Sequence, residues 1–255
     1  MKVALVCIAK DEDNYIQEWI EYHLKLGFDS VFVYANNWDY KNNNNKVNVI
    51  RWDGEQVQDK AYKHFFENYN QTYQYAAMFD VDEFLVLKKH NNVKNFIEDY
   101  ICSPGGIAIN WVFFGAPEHK NQEPKTVNNE YSPLKRFTYR GPINHHIKTI
   151  CRLPNPNSIS KYNSINHVHW PTQLINDTSG NLWAEKLHPV MSNASIEVVQ
   201  LNHYWTKSWE EWVSKVNKGR ADKGTTRDLN EWHDLDDLLT IKDTTALNFM
   251  YPNYE

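Results

Sequence analysis

The sequence predicts an α/β fold, a mostly parallel sheet flanked by helices, and three observations carry that expectation. Continuous apolar runs at Val3–Ala9, Val31–Ala35 and Tyr75–Phe79 have the length and composition of strands buried on both faces. The segments between them repeat apolar residues at helical spacing, so strand and helix alternate. Polar clusters, Lys10-Asp11, Asn36-Asn37 and Asp80-Val81-Asp82, follow the runs. In parallel sheets, ligands bind just outside those carboxyl ends.

The elements follow in chain order. After Val3–Ala9, residues Ile16, Trp19, Ile20, His23 and Leu24 mark one face of a helix, and Gly27 stops it. Val31–Ala35 and Val47–Arg51 are the second and third strands. Val57, Ala61, Phe65 and Tyr69 line the next helix. Tyr75–Phe79 reaches the acids, and Phe84–Leu87 is a further apolar run. Val93, Phe96, Ile97, Tyr100 and Ile101 predict a short helix, and Gly106–Phe114 a strand. The second half is less regular. Gly115–Tyr131 is polar and proline-containing, a loop. Short strands are expected at Phe137–Tyr139, Ile147–Cys151 and Ile165–Trp170, and a better one at Val198–Trp205. Ser208 and Glu211 have capping-box spacing. They open a helix with Trp209, Trp212, Val213 and Val216 inward and Gly219 as its stop.

At 255 residues the chain is one large domain, or a domain with appendages. A hydrophobic content of 41% is enough for a sizeable core, and the 15 tyrosines and 10 tryptophans suit sugar and base stacking as well as packing. The net charge of −5 gives no reason to expect a nucleic-acid partner. Three widely spaced cysteines read as free thiols in a reducing compartment. No signal-type or membrane-length apolar run is present, so a cytoplasmic chain without a transmembrane segment is expected. The absence of G-x-G-x-x-G and of a P-loop sequence argues against a glycine cradle for nucleotide.

The chemistry concentrates in Tyr75–Leu87, YAAMFDVDEFLVL. Three acids, Asp80, Asp82 and Glu83, sit between apolar walls. Burying a bare carboxylate is costly, so they belong at a strand end facing a cleft. In extended backbone Asp80 and Asp82 would share a face. Two hard oxygen ligands there suit Mn²⁺ or Mg²⁺, with diphosphate oxygens and water completing the shell. The plainer reading is a polar turn. Among the clustered histidines of the second half, including His167 and His169, none has zinc-site spacing. His203 stands out, because it falls at the end of a predicted strand before Tyr204 and Trp205. A neutral imidazole there is a candidate third ligand.

Several blocks together resemble a known family. They are Lys10-Asp11-Glu12, Glu18-Trp19-Ile20-Glu21-Tyr22-His23 and Val33-Tyr34-Ala35-Asn36-Asn37, then Gln58 with Ala61-Tyr62. Asp80-Val81-Asp82-Glu83-Phe84 comes next, followed by Trp111 with Phe114-Gly115, and Lys148. The last is Asn202-His203-Tyr204-Trp205-Thr206-Lys207-Ser208, leading to Lys215 and Gly219. The chain resembles the GT-A nucleotide-sugar glycosyltransferases, most closely glycosyltransferase family 92 and its family-2-like relatives. That resemblance implies a GT-A domain over 1–219; residues from about 220 onward match none of its blocks, and 220–255 is expected to be a C-terminal helical extension packed on it. It implies metal-dependent transfer from a nucleoside-diphosphate sugar to a glycan or glycolipid acceptor; inversion is the expected outcome, with retention left open by the resemblance.

The resemblance also implies residue roles. Asp82, Asp80 and His203 would hold the metal. Lys10, Asp11, Asn36, Gln58, Asp80 and Val81 would line the nucleotide-sugar site. Trp111, Phe114 and Lys148 would face the acceptor, with Lys148 and Lys207 offsetting phosphate charge. The base for the acceptor hydroxyl would come from Glu118, Glu83, His119 or Asp222, with Glu118 leading. The family usually has asparagine where Asp11 stands. Two other readings compete. A sugar nucleotidyltransferase would want a basic, glycine-rich loop where Lys10-Asp11-Glu12-Asp13 stands. A non-catalytic carbohydrate-binding module would have no need of paired acids at a strand end.

Overall fold

The computed structural model describes residues 1–115, 131–153, 174–184, 193–218 and 227–254. The first half alternates as expected: β1 Val3–Ala9, α1 Ile16–Lys25, β2 Ser30–Ala35, β3 Val47–Arg51, α2 Gln58–Tyr69 and β4 Tyr75–Met78. Then come β5 Glu83–Leu87, α3 Val93–Tyr100, β6 Gly106–Gly115, α4 Pro133–Arg136 and β7 Tyr139–Arg152. The remainder is β8 Leu174–Asn176, β9 Leu182–Ala184, β10 Val199–Lys207, α5 Trp209–Lys218, α6 Glu231–Asp236, β11 Ile241–Lys242 and α7 Thr245–Met250. The expected strand at Ile165–Trp170 and the interior of the expected loop Gly115–Tyr131 lie outside the described residues.

One sheet runs through the molecule in the order β3-β2-β1-β4-β7-β6-β10-β5. Strands β3, β2, β1 and β4 are parallel. Antiparallel pairing enters at β7, which joins β4 to β6, while β10 runs parallel to β6 and antiparallel to β5. The two faces of β1 follow its pleat. Val3, Leu5, Cys7 and Ala9 join a core with Ile16, Trp19 and Ile20 of α1. Ala4, Val6 and Ile8 join a second core with Ala61, Tyr62, Phe65 and Phe66 of α2. This is why Val3–Ala9 is apolar throughout rather than alternating. Gly27, beyond the end of α1, has φ of 103°, and a Cβ there would run into the Asn92 side chain.

Strand β7 is a single 14-residue strand where two short ones were expected. Gly141-Pro142 reads as a break in sequence. In the structure Pro142 falls where the β6–β7 ladder is already irregular, so no regular bond is lost at its missing N–H. Strand β11 extends the sheet by pairing with β7, and α7 packs over β5.

Strand β5 is an edge, and α1 plugs it. Trp19 Nε1 donates to the Glu83 carbonyl at 2.8 Å, and Tyr22 Oη donates to the Leu85 carbonyl at 2.8 Å. The Leu85 N–H donates to His23 Nε2 at 3.3 Å, while His23 Nδ1 donates to the Trp19 carbonyl at 2.8 Å. Side chains of one helix thus satisfy backbone groups that an exposed edge would leave open. Burial drives the His23 pKa down to about 3, against its bond to the Trp19 carbonyl. The imidazole stays neutral when folded and takes a proton only when unfolded, so its stabilisation is present above pH ~6.5 and is lost as pH falls toward 3. In urea titrations, wild type is expected to lose up to about 1.4 kcal/mol per pH unit across that window relative to His23→Gln. Parallel pH profiles for the two proteins would refute this.

Candidate active site

The site forms in the turn after β4, beside β10, where His203 lies in the middle of the strand and not at its end as expected. After β4 the chain makes a tight turn closed by the Glu83 N–H to the Asp80 carbonyl at 3.0 Å. Glu83 returns the contact: its Oε2 accepts the Asp80 N–H at 2.8 Å. Asp80 and Asp82 are therefore turn residues, not neighbours on an extended strand face, and each carboxylate meets a different lysine.

Asp80 is the open one, with its side chain 38% exposed. Its Oδ2 accepts from Lys148 Nζ at 3.0 Å, and its Oδ1 lies 3.5 Å from Gln58 Nε2. Lys148 comes from β7 and is only 1% exposed; it also lies 3.4 Å from Glu83 Oε2. Asp82 Oδ2 accepts from Lys215 Nζ of α5 at 2.6 Å, and Asp82 Oδ1 is 3.5 Å from His203 Nε2. The Tyr204 N–H donates to the Asp82 carbonyl at 2.8 Å, tying the turn to β10. Burial opposes the Asp82 charge, yet Lys215 and His203 hold its carboxyl well below the usual range. Burial pushes Glu83 well above the usual range, and the charges of Asp80 and Asp82 add to that against Lys148. Burial also lowers the His203 pKa, opposed by Asp82, which favours a neutral imidazole.

His203 sits in an aromatic box. Its ring centroid is 4.5 Å from Trp111, 5.5 Å from Phe113 and 5.1 Å from Trp205. Trp111 in turn stacks on His146 at 5.3 Å. The capping box forms as the sequence indicated: the Ser208 N–H donates to Glu211 Oε2 at 3.0 Å, and the Glu211 N–H donates to Ser208 Oγ at 3.4 Å. It fixes the turn from β10 into α5 and so places Lys215 over Asp82.

Several expected roles change. Glu83 is fully buried and locked into its turn, so it cannot meet an acceptor hydroxyl as a base. Lys148 is enclosed behind the acids and does not face an acceptor. Phe114 lies in the core against Tyr204; on a pleated strand Phe113, not Phe114, shares the face of Trp111. The Val81 side chain is core as well. Asn36 donates its amide N–H groups to the Trp52 and Gly54 carbonyls, both at 2.9 Å, so it anchors the loop after β3. Lys10 is half-buried at the end of β1, and Asp11 is exposed with φ of 52°. Glu118, His119, Asp222, His167 and His169 lie outside the described residues.

The donor set fits a divalent cation in part. Neighbouring ligands of one octahedral ion stand about 3 Å apart. Asp82 Oδ1 and His203 Nε2 are near that separation. Asp80 does not join them, because its Oδ2 is turned to Lys148. Among the described residues no group of three or more His, Cys, Asp or Glu side chains is gathered to hold a metal. Sequence spacing missed Lys215 as the partner of Asp82. The signal was its position seven residues into a capped helix, which puts it one face-turn from the strand end.

Residues 3–241 match the model of glycosyltransferase family 92. A glycosyltransferase family 92 protein of Oryza sativa subsp. japonica is 24% identical over 224 residues, covering 83% of this chain. The match spans only 35% of the length of that relative. Among solved structures, S. aureus TarS residues 1–349 align with a TM-score of 0.29 and 15% identity, over 48% of this chain and 37% of that one. A second S. aureus TarS structure aligns with a TM-score of 0.28 and 14% identity, over 49% and 24%.

Proposed function

This chain belongs to glycosyltransferase family 92, and on that premise we propose that it moves a hexosyl or deoxyhexosyl group from a nucleoside-diphosphate sugar to a glycan or glycolipid hydroxyl with inversion. The observation that carries this reading is the Asp82–His203 pair, with Asp82 in the turn beyond the parallel-strand ends at β4 and His203 from the middle of β10, inside an aromatic box. A nucleoside diphosphate would lie across those ends, with Gln58 and Asp80 beside it. Asp82 and His203 would hold Mn²⁺ or Mg²⁺, which supplies charge for a leaving diphosphate. Half-buried Phe113 offers a flat apolar face of the kind sugars stack on, whereas Trp111, expected to face the acceptor, is buried between His146 and His203. Glu118 is the proposed base for the acceptor proton. Among the described residues no helix is long and apolar enough to cross a membrane.

The test is a thermal-shift screen of nucleoside diphosphates with and without manganese, followed by hydrolysis of the matching nucleotide sugars. A ligand that binds only the folded chain raises Tm, by about 2.7 kcal/mol of added stability at a hundredfold excess over Kd. Manganese-enhanced stabilisation with sugar release is the expected result. A nucleotidyltransferase would turn over a nucleoside triphosphate instead. A carbohydrate-binding module would respond to free glycan and to no nucleotide.

A further inference from the structure

Helix α5 turns one polar face to the candidate site. Glu211, Lys215 and Lys218 stand at i, i+4 and i+7, so all three share that face. Each reaches a different group. Glu211 accepts from the Tyr15 hydroxyl and from Arg136 at 3.0 and 2.8 Å, which ties the start of α5 to the loop after β1 and to α4. Lys218 donates to Glu12 Oε1 at 2.8 Å, which ties the end of α5 to the same loop. Lys215, between these two ties, donates to Asp82 Oδ2 at 2.6 Å.

Asp82 carries one negative charge, and the Lys215 ammonium already sits against it. A divalent ion between Asp82 Oδ1 and His203 Nε2 would share that carboxylate with the ammonium on its other oxygen. Two cations on one carboxylate repel each other. The Asp82 side chain is 12% exposed and that of Lys215 21%, so solvent screens the repulsion weakly. The ammonium has to leave Oδ2 before an ion can hold the carboxylate. A second place is ready for it. Lys215 Nζ also donates to the Trp205 carbonyl at 2.8 Å and lies 4.3 Å from the centre of the Trp205 ring. It can release Asp82 without becoming a bare buried charge.

We propose that Lys215 is a built-in competitor for the cation site: α5 holds its ammonium on Asp82, and a divalent ion binds by displacing it. The inference rests on the metal-assisted transfer proposed above and adds a latch to it. The ties at Glu211 and Lys218 keep α5 in register with the turn, so the competing charge is preorganised and the affinity of the site is set low. An ion on Asp82 moves the ammonium toward Trp205, while the two ties keep the helix in place.

The experiment titrates the full chain with manganese chloride alone and follows free Mn²⁺ by electron paramagnetic resonance, with thermal melts of the same samples. Lys215→Met keeps the bulk and removes the charge. It is expected to bind Mn²⁺ at least about tenfold more tightly than wild type, because one like charge has left a shielded site. Lys215→Arg keeps the charge and should bind no more tightly than wild type. Without Mn²⁺ the Tm of Lys215→Met should fall, since Asp82 loses its partner, and Mn²⁺ should raise it further than it raises that of wild type. The gain should vanish when Asp82→Asn is added. If Lys215→Met does not fold, Lys215→Gln carries the same expectation and can still donate to the Trp205 carbonyl. Affinity in the neutral variant equal to or weaker than wild type overturns the latch and leaves Asp82 and His203 as ligands. An equal gain in Lys215→Arg assigns the effect to packing and overturns it, as does a gain that survives Asp82→Asn. Absence of Mn²⁺ binding in wild type and every variant removes the metal site and the latch together. Turnover of nucleotide sugar in EDTA then shows whether the transferase reading stands without them.

Discussion

Asp82→Asn is expected to abolish sugar transfer while leaving the fold in place. The substitution keeps the shape of the side chain, and the turn survives because Tyr204 donates to the Asp82 backbone carbonyl, not to its carboxylate. What goes is the negative charge between Lys215 and His203. Lys215 keeps the Trp205 carbonyl as a partner, so its ammonium is not stranded. A metal held by Asp82 and His203 would lose the one anionic ligand it has among the described residues. Removing one preorganised electrostatic contact of this kind costs on the order of 10³ in turnover. Calorimetry should show manganese no longer strengthening nucleotide binding, with circular dichroism unchanged. Manganese-dependent affinity equal to wild type would sink the assignment of Asp82 as ligand. His203→Ala should act in the same direction, and because protons compete for a neutral imidazole, manganese affinity in wild type should fall as pH drops.

Much of the scaffold was legible because it is local. The apolar runs, the helical faces, the stop at Gly27 and the capping box of Ser208 and Glu211 are all short-range patterns, and each appears in the structure. The partners of the acids were not legible, because they are distant in sequence. Lys148 reaches Asp80 across 68 positions, and Lys215 reaches Asp82 across 133. Spacing carries no information at that range. The role of Glu83 depended on whether residues 80–83 form a strand or a turn. A turn buries its carboxylate, and three acids within four positions do not announce which they will do. The Phe113 exchange was readable: from Trp111, a period of two leads to Phe113. His23 looked like one more residue on a helical face. Its work as a backbone acceptor needs β5 beside it, which only the tertiary fold supplies.

Lys148→Met is expected to be the most destabilising single change near the site, by about 3–5 kcal/mol, the usual effect of stripping one partner from a buried ion pair. Lys148 is 1% exposed, and Glu83 beside it is fully buried. The ammonium touches both Asp80 Oδ2 and Glu83 Oε2. Burial works against its charge, but the two acids prevail and hold its pKa above the ordinary lysine value. Methionine fills the space and adds no charge, so the loss reports on electrostatics more than on packing. Asp80 can turn toward water, but Glu83 cannot. Its carboxyl would be pushed further up and would take a proton. Glu83→Gln in the Lys148→Met background should therefore recover a substantial part of the loss, because a neutral amide can still accept the Asp80 N–H. Chemical denaturation of the single and double variants forms a cycle that isolates the coupling. A loss under about 1 kcal/mol in Lys148→Met, or no recovery in the double variant, would show that Lys148 is not what keeps the two acids in place.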